Sequence, residues 1–82
     1  MDDKVVKSVV DWISTTHGGQ FKIEPQTAVA KEQLLDSLQI MDLVMHLETT
    51  FNMSIPLDAL TENNFSTPKT IAAMVHKIKA GV

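Results

Sequence analysis

Leu34-Leu35-Asp36-Ser37-Leu38-Gln39-Ile40-Met41-Asp42-Leu43-Val44-Met45-His46-Leu47-Glu48-Thr49-Thr50-Phe51 is the stretch whose reading decides what this chain is. From Gln39 to Phe51 it predicts a helix. At about 100° per residue, Ile40, Leu43, Val44, Leu47 and Phe51 fall within roughly one third of the circumference, the stripe of a core-facing helix. Leu38, Met41 and Met45 project on a second side, with Asp42 and Glu48 beside them. A second apolar stripe rimmed by acids is more than a small core needs.

Ser37 stands at the mouth of this helix, where the first amides lack intrahelical partners and the positive end of the macrodipole points outward. An anion attached there would be stabilised. Spacing alone supports a plainer reading as well, in which Asp36 or Ser37 is simply the N-cap.

Asp36-Ser37-Leu38, the helix with Asp42 and Glu48 at outward positions, and the closing Phe51-Asn52-Met53-Ser54-Ile55-Pro56 resemble the modification motif of acyl and peptidyl carrier proteins. The likeness covers nearly the whole chain: an amphipathic first helix, a long loop, the Asp-Ser-Leu helix, Ile55-Pro56 before a short helix, and a last helix opened by Thr67-Pro68. It implies that Ser37 carries 4′-phosphopantetheine and that Asp36 helps place a metal ion in the complex with the phosphopantetheinyl transferase. Leu38, Met41 and Met45 would then be the apolar centre of a docking surface, and Asp42 and Glu48 its charged rim. Methionine adapts to several partners, and rim charges speed encounter with basic patches.

Composition is compatible with that role. Eighty-two residues make one domain, 1–82, and 44% apolar residues suit a folded one. With no cysteine the chain has no disulfide framework and no thiolate of its own, so a thioester carrier must borrow its thiol from a cofactor. A net charge of −3 without a Lys/Arg cluster argues against nucleic acid. Met1-Asp2-Asp3-Lys4 is unlike a secretory leader, and no apolar run approaches the about 20 residues of a membrane span. The expectation is a cytoplasmic monomer.

Asp2 and Asp3 place negative charge in a first helical turn, and Val6, Val9, Val10 and Ile13 recur at helical spacing to about Thr16, where Gly18-Gly19 ends the helix. Gln20 to Gln33 reads as a long loop with a turn around Ala28 to Glu32, anchored by Phe21, Ile23, Val29 and Leu34. Ile55 before Pro56 is extended, and Asp58 can cap a short helix through Ala59, Leu60 and Thr61 to Glu62 or Asn63. Thr67 as N-cap and Pro68 at the first helical position open the last helix, whose stripe is Ile71, Met74, Val75 and Ile78 and which Gly81 terminates. The fold class is therefore all-α, a small bundle of three longer helices and one short helix with a long loop between the first and second. Its expected core is Val6, Val9, Ile13, Leu35, Ile40, Leu43, Leu47, Phe51, Ile55, Phe65, Ile71, Val75 and Ile78.

Catalytic readings find no support. His17, His46 and His76 sit in three separate elements without ligand spacing, and each is expected in solvent. No zinc site, P-loop or nucleophile elbow is present. The chain reads as a substrate of other enzymes: the transferase, then a loading enzyme, acyltransferase or condensing enzyme. Bacterial fatty-acid carriers commonly have further acids two residues after the serine and beside Glu48, where this chain has Gln39 and Thr49. Its Leu-Leu-Asp-Ser form is more similar to stand-alone carriers of specialised pathways, among them D-alanyl, other aminoacyl and discrete polyketide carriers. A fatty-acid synthase carrier is the nearest alternative, and an unmodified helical adaptor using the same stripe is the alternative of another class.

Overall fold

Asp3 sets the start of the first helix in the computed structural model, which describes residues 3–81. Its backbone is extended, and its Oδ1 accepts hydrogen bonds from the amides of Val5 (2.9 Å) and Val6 (3.2 Å). Two first-turn donors are thereby satisfied. The helix α1 spans Lys4–Thr16. Asp3 is thus its cap and lies outside the first turn where charge alone would place it; Asp2 falls outside the described residues. Val5, Val9 and Ile13, four residues apart, are buried, while Val6 and Val10 are half-buried beside them. Val6 therefore flanks the core that its spacing predicts it to enter, because Val5 heads the inward stripe.

Gly18 and Gly19 close α1 with φ of 66° and 75°, a left-handed pair that only glycine adopts without strain. The amides of Gly19 and Gly18 reach back to the carbonyls of Ser14 (2.9 Å) and Thr15 (3.0 Å), the paired bonds of a Schellman ending. Turns and irregular chain, with no helix or strand, run from there to Asp36. Ile23, Val29, Leu34 and Leu35 in this segment are buried, but Phe21, expected as an anchor, is 45% exposed and meets the edge of His17. The Pro25 carbonyl accepts the amide of Lys69 at 2.9 Å. That bond satisfies a donor in the first turn of the last helix.

The helix α2 spans Ser37–Phe51 and ends at Asn52, which is left-handed with φ 51°. Lys79 donates its ammonium to the Phe51 carbonyl at 2.9 Å, occupying one of the carbonyls the helix end leaves free. Leu43, Val44 and Leu47 are buried, and Ile40 and Phe51 pack against them half-buried.

The short helix is a single 3-10 turn, Leu57–Ala59, earlier and briefer than its sequence signals. Pro56, with φ −70°, starts it, and Asp58 lies inside it without capping. It stops at once because the Ala59 carbonyl is taken by the amide of Thr61 (2.9 Å) and by the side chain of Asn64 (2.8 Å). Phe65, 2% exposed, then enters the core.

The helix α3 spans Pro68–Lys79, opened by Thr67, whose hydroxyl accepts the Thr70 amide at 3.1 Å. Ile71, Ala72, Met74 and Val75 are buried and Ile78 half-buried. The described residues are all-helical, three helices and one 3-10 turn, around one apolar cluster without a buried polar side chain. Their radius of gyration is 11.6 Å, close to the about 12 Å of a folded chain this long.

α1 packs on α3 in opposite directions, since Asp3 at the start of one meets His76 in the last turn of the other, Nε2 to Oδ2 3.0 Å. Partial burial pushes the Asp3 carboxyl up, and the His76 hydrogen bond, the amides of Val6 and Val5 and the charge that His76 carries when protonated outweigh it. The carboxyl is therefore held below the ordinary aspartate range. With side chains 55% and 38% exposed, the ion pair itself adds little. The linkage sign is that of a lowered carboxyl: its stabilisation is present above the unfolded value near about 4 and disappears as pH falls through the lowered one. Asp3→Ala is expected to lose about 1 kcal/mol of unfolding free energy at neutral pH, chiefly through the cap. Urea midpoints should show that gap narrowing below about pH 4, and a gap indifferent to pH would mean that the carboxylate charge contributes nothing.

Candidate functional site

The start of α2 is held by a reciprocal pair of hydrogen bonds. Asp36 Oδ1 accepts the amide of Gln39 at 2.8 Å, and the Asp36 amide donates to Gln39 Oε1 at 3.0 Å. This capping box assigns the cap to Asp36. Ser37 is consequently the first helical residue, exposed, and its hydroxyl has no hydrogen-bond partner among the described residues. Gln39 serves as the reciprocal partner.

On the other side the chain is anchored. Leu34 and Leu35 are buried immediately before Asp36, and the His17 ring bonds the Leu34 carbonyl through Nε2. Gln33 turns the chain with φ 58°. Ser37 is therefore presented between a pinned pair of leucines and the rigid first turn of a helix.

The amide of Ile40 donates to the Asp36 carbonyl at 2.9 Å and that of Gln39 to the Asp36 side chain. Those of Ser37 and Leu38 have no partner among the described residues. Two free donors at the positive end of α2 beside an exposed hydroxyl suit a phosphodiester on that hydroxyl. The residues present thus fit a phosphate-linked group.

Along α2, Leu38, Met41 and Met45 recur at i, i+3 and i+7 and are 77%, 45% and 62% exposed, with Asp42 exposed beside them. Glu48 is placed differently from a free rim charge. It is half-buried, and its Oε2 accepts the Ile55 amide at 2.8 Å, tying α2 to the extended residue before Pro56. Leu57, two residues past that tie, is 79% exposed and was not singled out by its sequence position. An apolar residue following an Ile-Pro pair is the only signal it offers.

None of the three histidines is simply solvated. The His17 ring bonds the loop, the His76 ring bonds the Asp3 carboxylate, and His46 turns away from the exposed stripe to share a hydrogen bond with Ser8 Oγ at 2.9 Å, its ring 6.3 Å from Trp12. His17 and His46 are half-buried. Each joins two elements that are far apart in sequence, which local spacing does not reveal. Among the described residues no three of His, Cys, Asp and Glu gather as a metal site, and no helix is long and apolar enough to cross a membrane.

A family model described as "Phosphopantetheine attachment site" matches residues 21–75. That span holds Asp36, Ser37, all of α2 and most of α3. The chain is 37% identical over 43 residues to a protein of Caulobacter vibrioides named "Probable acyl carrier protein", an alignment covering 52% of this chain and 50% of that protein. It is 26% identical over 74 residues to the D-alanyl carrier protein of Leuconostoc citreum, covering 90% of this chain and 95% of that one. To the D-alanyl carrier protein of Lactobacillus delbrueckii subsp. bulgaricus it is 20% identical over 75 residues, covering 92% and 94%.

Because the Glu48 carboxylate holds a backbone amide, Glu48→Ala is expected to lower unfolding free energy by about 1 kcal/mol or more. Asp42→Ala should change it by less than about 0.5 kcal/mol. Hydrogen exchange at the Ile55 amide should quicken in the first variant alone, and equal exchange in both would assign Glu48 to the surface.

Proposed function

The chain belongs to the phosphopantetheine-binding carrier protein family, and from that premise we propose that Ser37 is the residue through which the cofactor is attached. The observation that carries this is the Ser37 hydroxyl, exposed and unpartnered at the first helical position while Asp36 performs the capping. We read the whole chain as one carrier module, in which the segment between α1 and α2 crosses the helices to deliver that serine.

Ser37 Oγ acts as nucleophile within the transferase complex: it forms a bond to the β-phosphorus of coenzyme A as the nucleotide half leaves and the hydroxyl proton is given up. A phosphodiester on Ser37 would have the unpartnered amides of Ser37 and Leu38 at the positive end of α2 to stabilise its charge. Asp36 uses Oδ1 for its cap, leaving Oδ2 to support the transferase's metal ion. When bound, phosphopantetheine supplies the thiol that holds an acyl or aminoacyl group as a thioester, chemistry for which this chain has no cysteine. Tethering raises the effective concentration of that group at each docked enzyme, so contacts can be brief.

Leu38, Met41 and Met45 form the apolar centre of docking, with Leu57 extending it and Asp42 as its free charge. Glu48 shapes this surface through Ile55 more than it charges it.

The cargo class we favour is an acyl or aminoacyl group of a specialised biosynthetic route. Gln39 and Thr49 support it by standing where bacterial fatty-acid carriers commonly have acids, and so does the likeness to D-alanyl carrier proteins along nearly the full length. The higher identity of the stretch shared with the Caulobacter protein, named as a probable acyl carrier protein, favours an acyl over an aminoacyl cargo, and a fatty-acid synthase carrier is the second reading of that kind.

Incubation with coenzyme A and a promiscuous phosphopantetheinyl transferase should add the mass of one arm to the wild-type chain and none to Ser37→Ala. An unmodified wild type, or a modified Ser37→Ala, would overturn the assignment, and the former would favour an adaptor. The holo chain should then be a poor acceptor from the malonyltransferase of fatty-acid synthesis, at least about tenfold below a fatty-acid carrier in rate, because its docking helix lacks their added acids. Equal malonylation would select the second reading.

A further inference from the structure

Charge is separated between the helices. α2 with its cap holds Asp36, Asp42 and Glu48 and no lysine, whereas α3 holds Lys69, Lys77 and Lys79 and no acid. On α3, Lys69, Ala73 and His76 recur at i, i+4 and i+7 and share one face. Facing them on α1 are Val6, Lys7 and Val10, and between the two helices runs a groove of about 810 Å³.

The small Ala73 side chain opens the groove, and half-buried Val6 and Val10 give it an apolar floor. The exposed ammonium groups of Lys7 and Lys69 form no ion pair among the described residues. Asp3 also lies in the wall, but its carboxylate is engaged by His76 and by the amides of Val5 and Val6. The groove therefore offers two cations that are unpaired among the described residues, with the Asp3 carboxylate beside His76 in its wall, above an apolar floor. From Lys69 to His76 it runs about 10 Å, the length of three extended residues.

We propose that this α1/α3 groove is a second docking surface, which takes an acidic segment of another protein with an apolar side chain between carboxylates. The charges select the acids and the floor takes the apolar residue. The groove shares no residue with Asp36, Ser37 or the Leu38, Met41 and Met45 stripe. A partner seated there leaves α2 free, so the carrier holds one protein while presenting its serine to another.

The test is a titration of the ¹⁵N-labelled full chain with the peptide acetyl-Glu-Asp-Leu-Asp-Glu-amide. Amide shifts are expected at Val6, Lys7, Val10 and Ala73. Binding should weaken roughly tenfold or more in the double variant Lys7→Glu with Lys69→Glu and in molar salt, since its attraction is electrostatic. Ala73→Gln, at an exposed helical position, should weaken it by filling the trough without reversing a charge. The proposal fails if no amide shifts, if the shifts centre on Leu38 to Met45, if they survive the charge reversal, or if dilution without peptide reproduces them, which would mark self-association. It also fails if anionic phospholipid vesicles shift these amides and the peptide does not. Ser37 takes no part in the measurement, so its outcome is independent of the attachment assignment.

Discussion

The two hydrogen bonds exchanged by Asp36 and Gln39 decide how the rest of this molecule can be used. A helix start needs a side chain to satisfy its first amides, and aspartate and serine are both able to do so. Here the carboxylate takes the task at 2.8 Å, so the adjacent hydroxyl has no structural duty. Were the roles exchanged, the Ser37 hydroxyl would be tied to the backbone. The buried pair Leu34 and Leu35 holds the same junction from behind, and exposure of Ser37 is compatible with a fixed position because of them.

Beyond the apolar cluster, the elements are joined by polar ties that each use one end of a helix or one turn of a loop. His17 reaches the Leu34 carbonyl, Lys69 donates its amide to Pro25, Glu48 accepts from Ile55, and Lys79 donates to Phe51. Helix ends supply the unpaired donors and acceptors, so they are where such ties form. These contacts cost the core nothing, since none requires burying an unsatisfied group: among the described residues no buried side-chain polar atom lacks a partner.

The separation of acids on α2 from lysines on α3 gives the surface two characters. The α2 side combines methionine and leucine with Asp42, whereas the α1/α3 side combines valine, alanine and lysine with the Asp3–His76 pair. Members of one carrier family can differ mainly at such surfaces, because specificity resides in which proteins each one meets.

Sequence by itself determined the helices, since their signals are local. Period 3.6 in Val9 to Ile13, Leu43 to Leu47 and Ile71 to Val75, the glycine pair after α1 and Thr67-Pro68 before α3 depend on neighbours within a few residues. It also placed Ser37 at a helix mouth and set Leu38, Met41 and Met45 off the core face, a matter of angle around one axis. The spacing of Asp36 and Gln39, three residues apart, is itself the capping-box signature that favours Asp36 over Ser37 as cap, whereas tertiary structure alone decided the contacts between elements. It turned Glu48 inward to Ile55, left Phe21 and Leu57 exposed, and gave all three histidines partners up to 73 positions away. Those outcomes hang on how separate elements come together, and no pattern along the chain carries that distance.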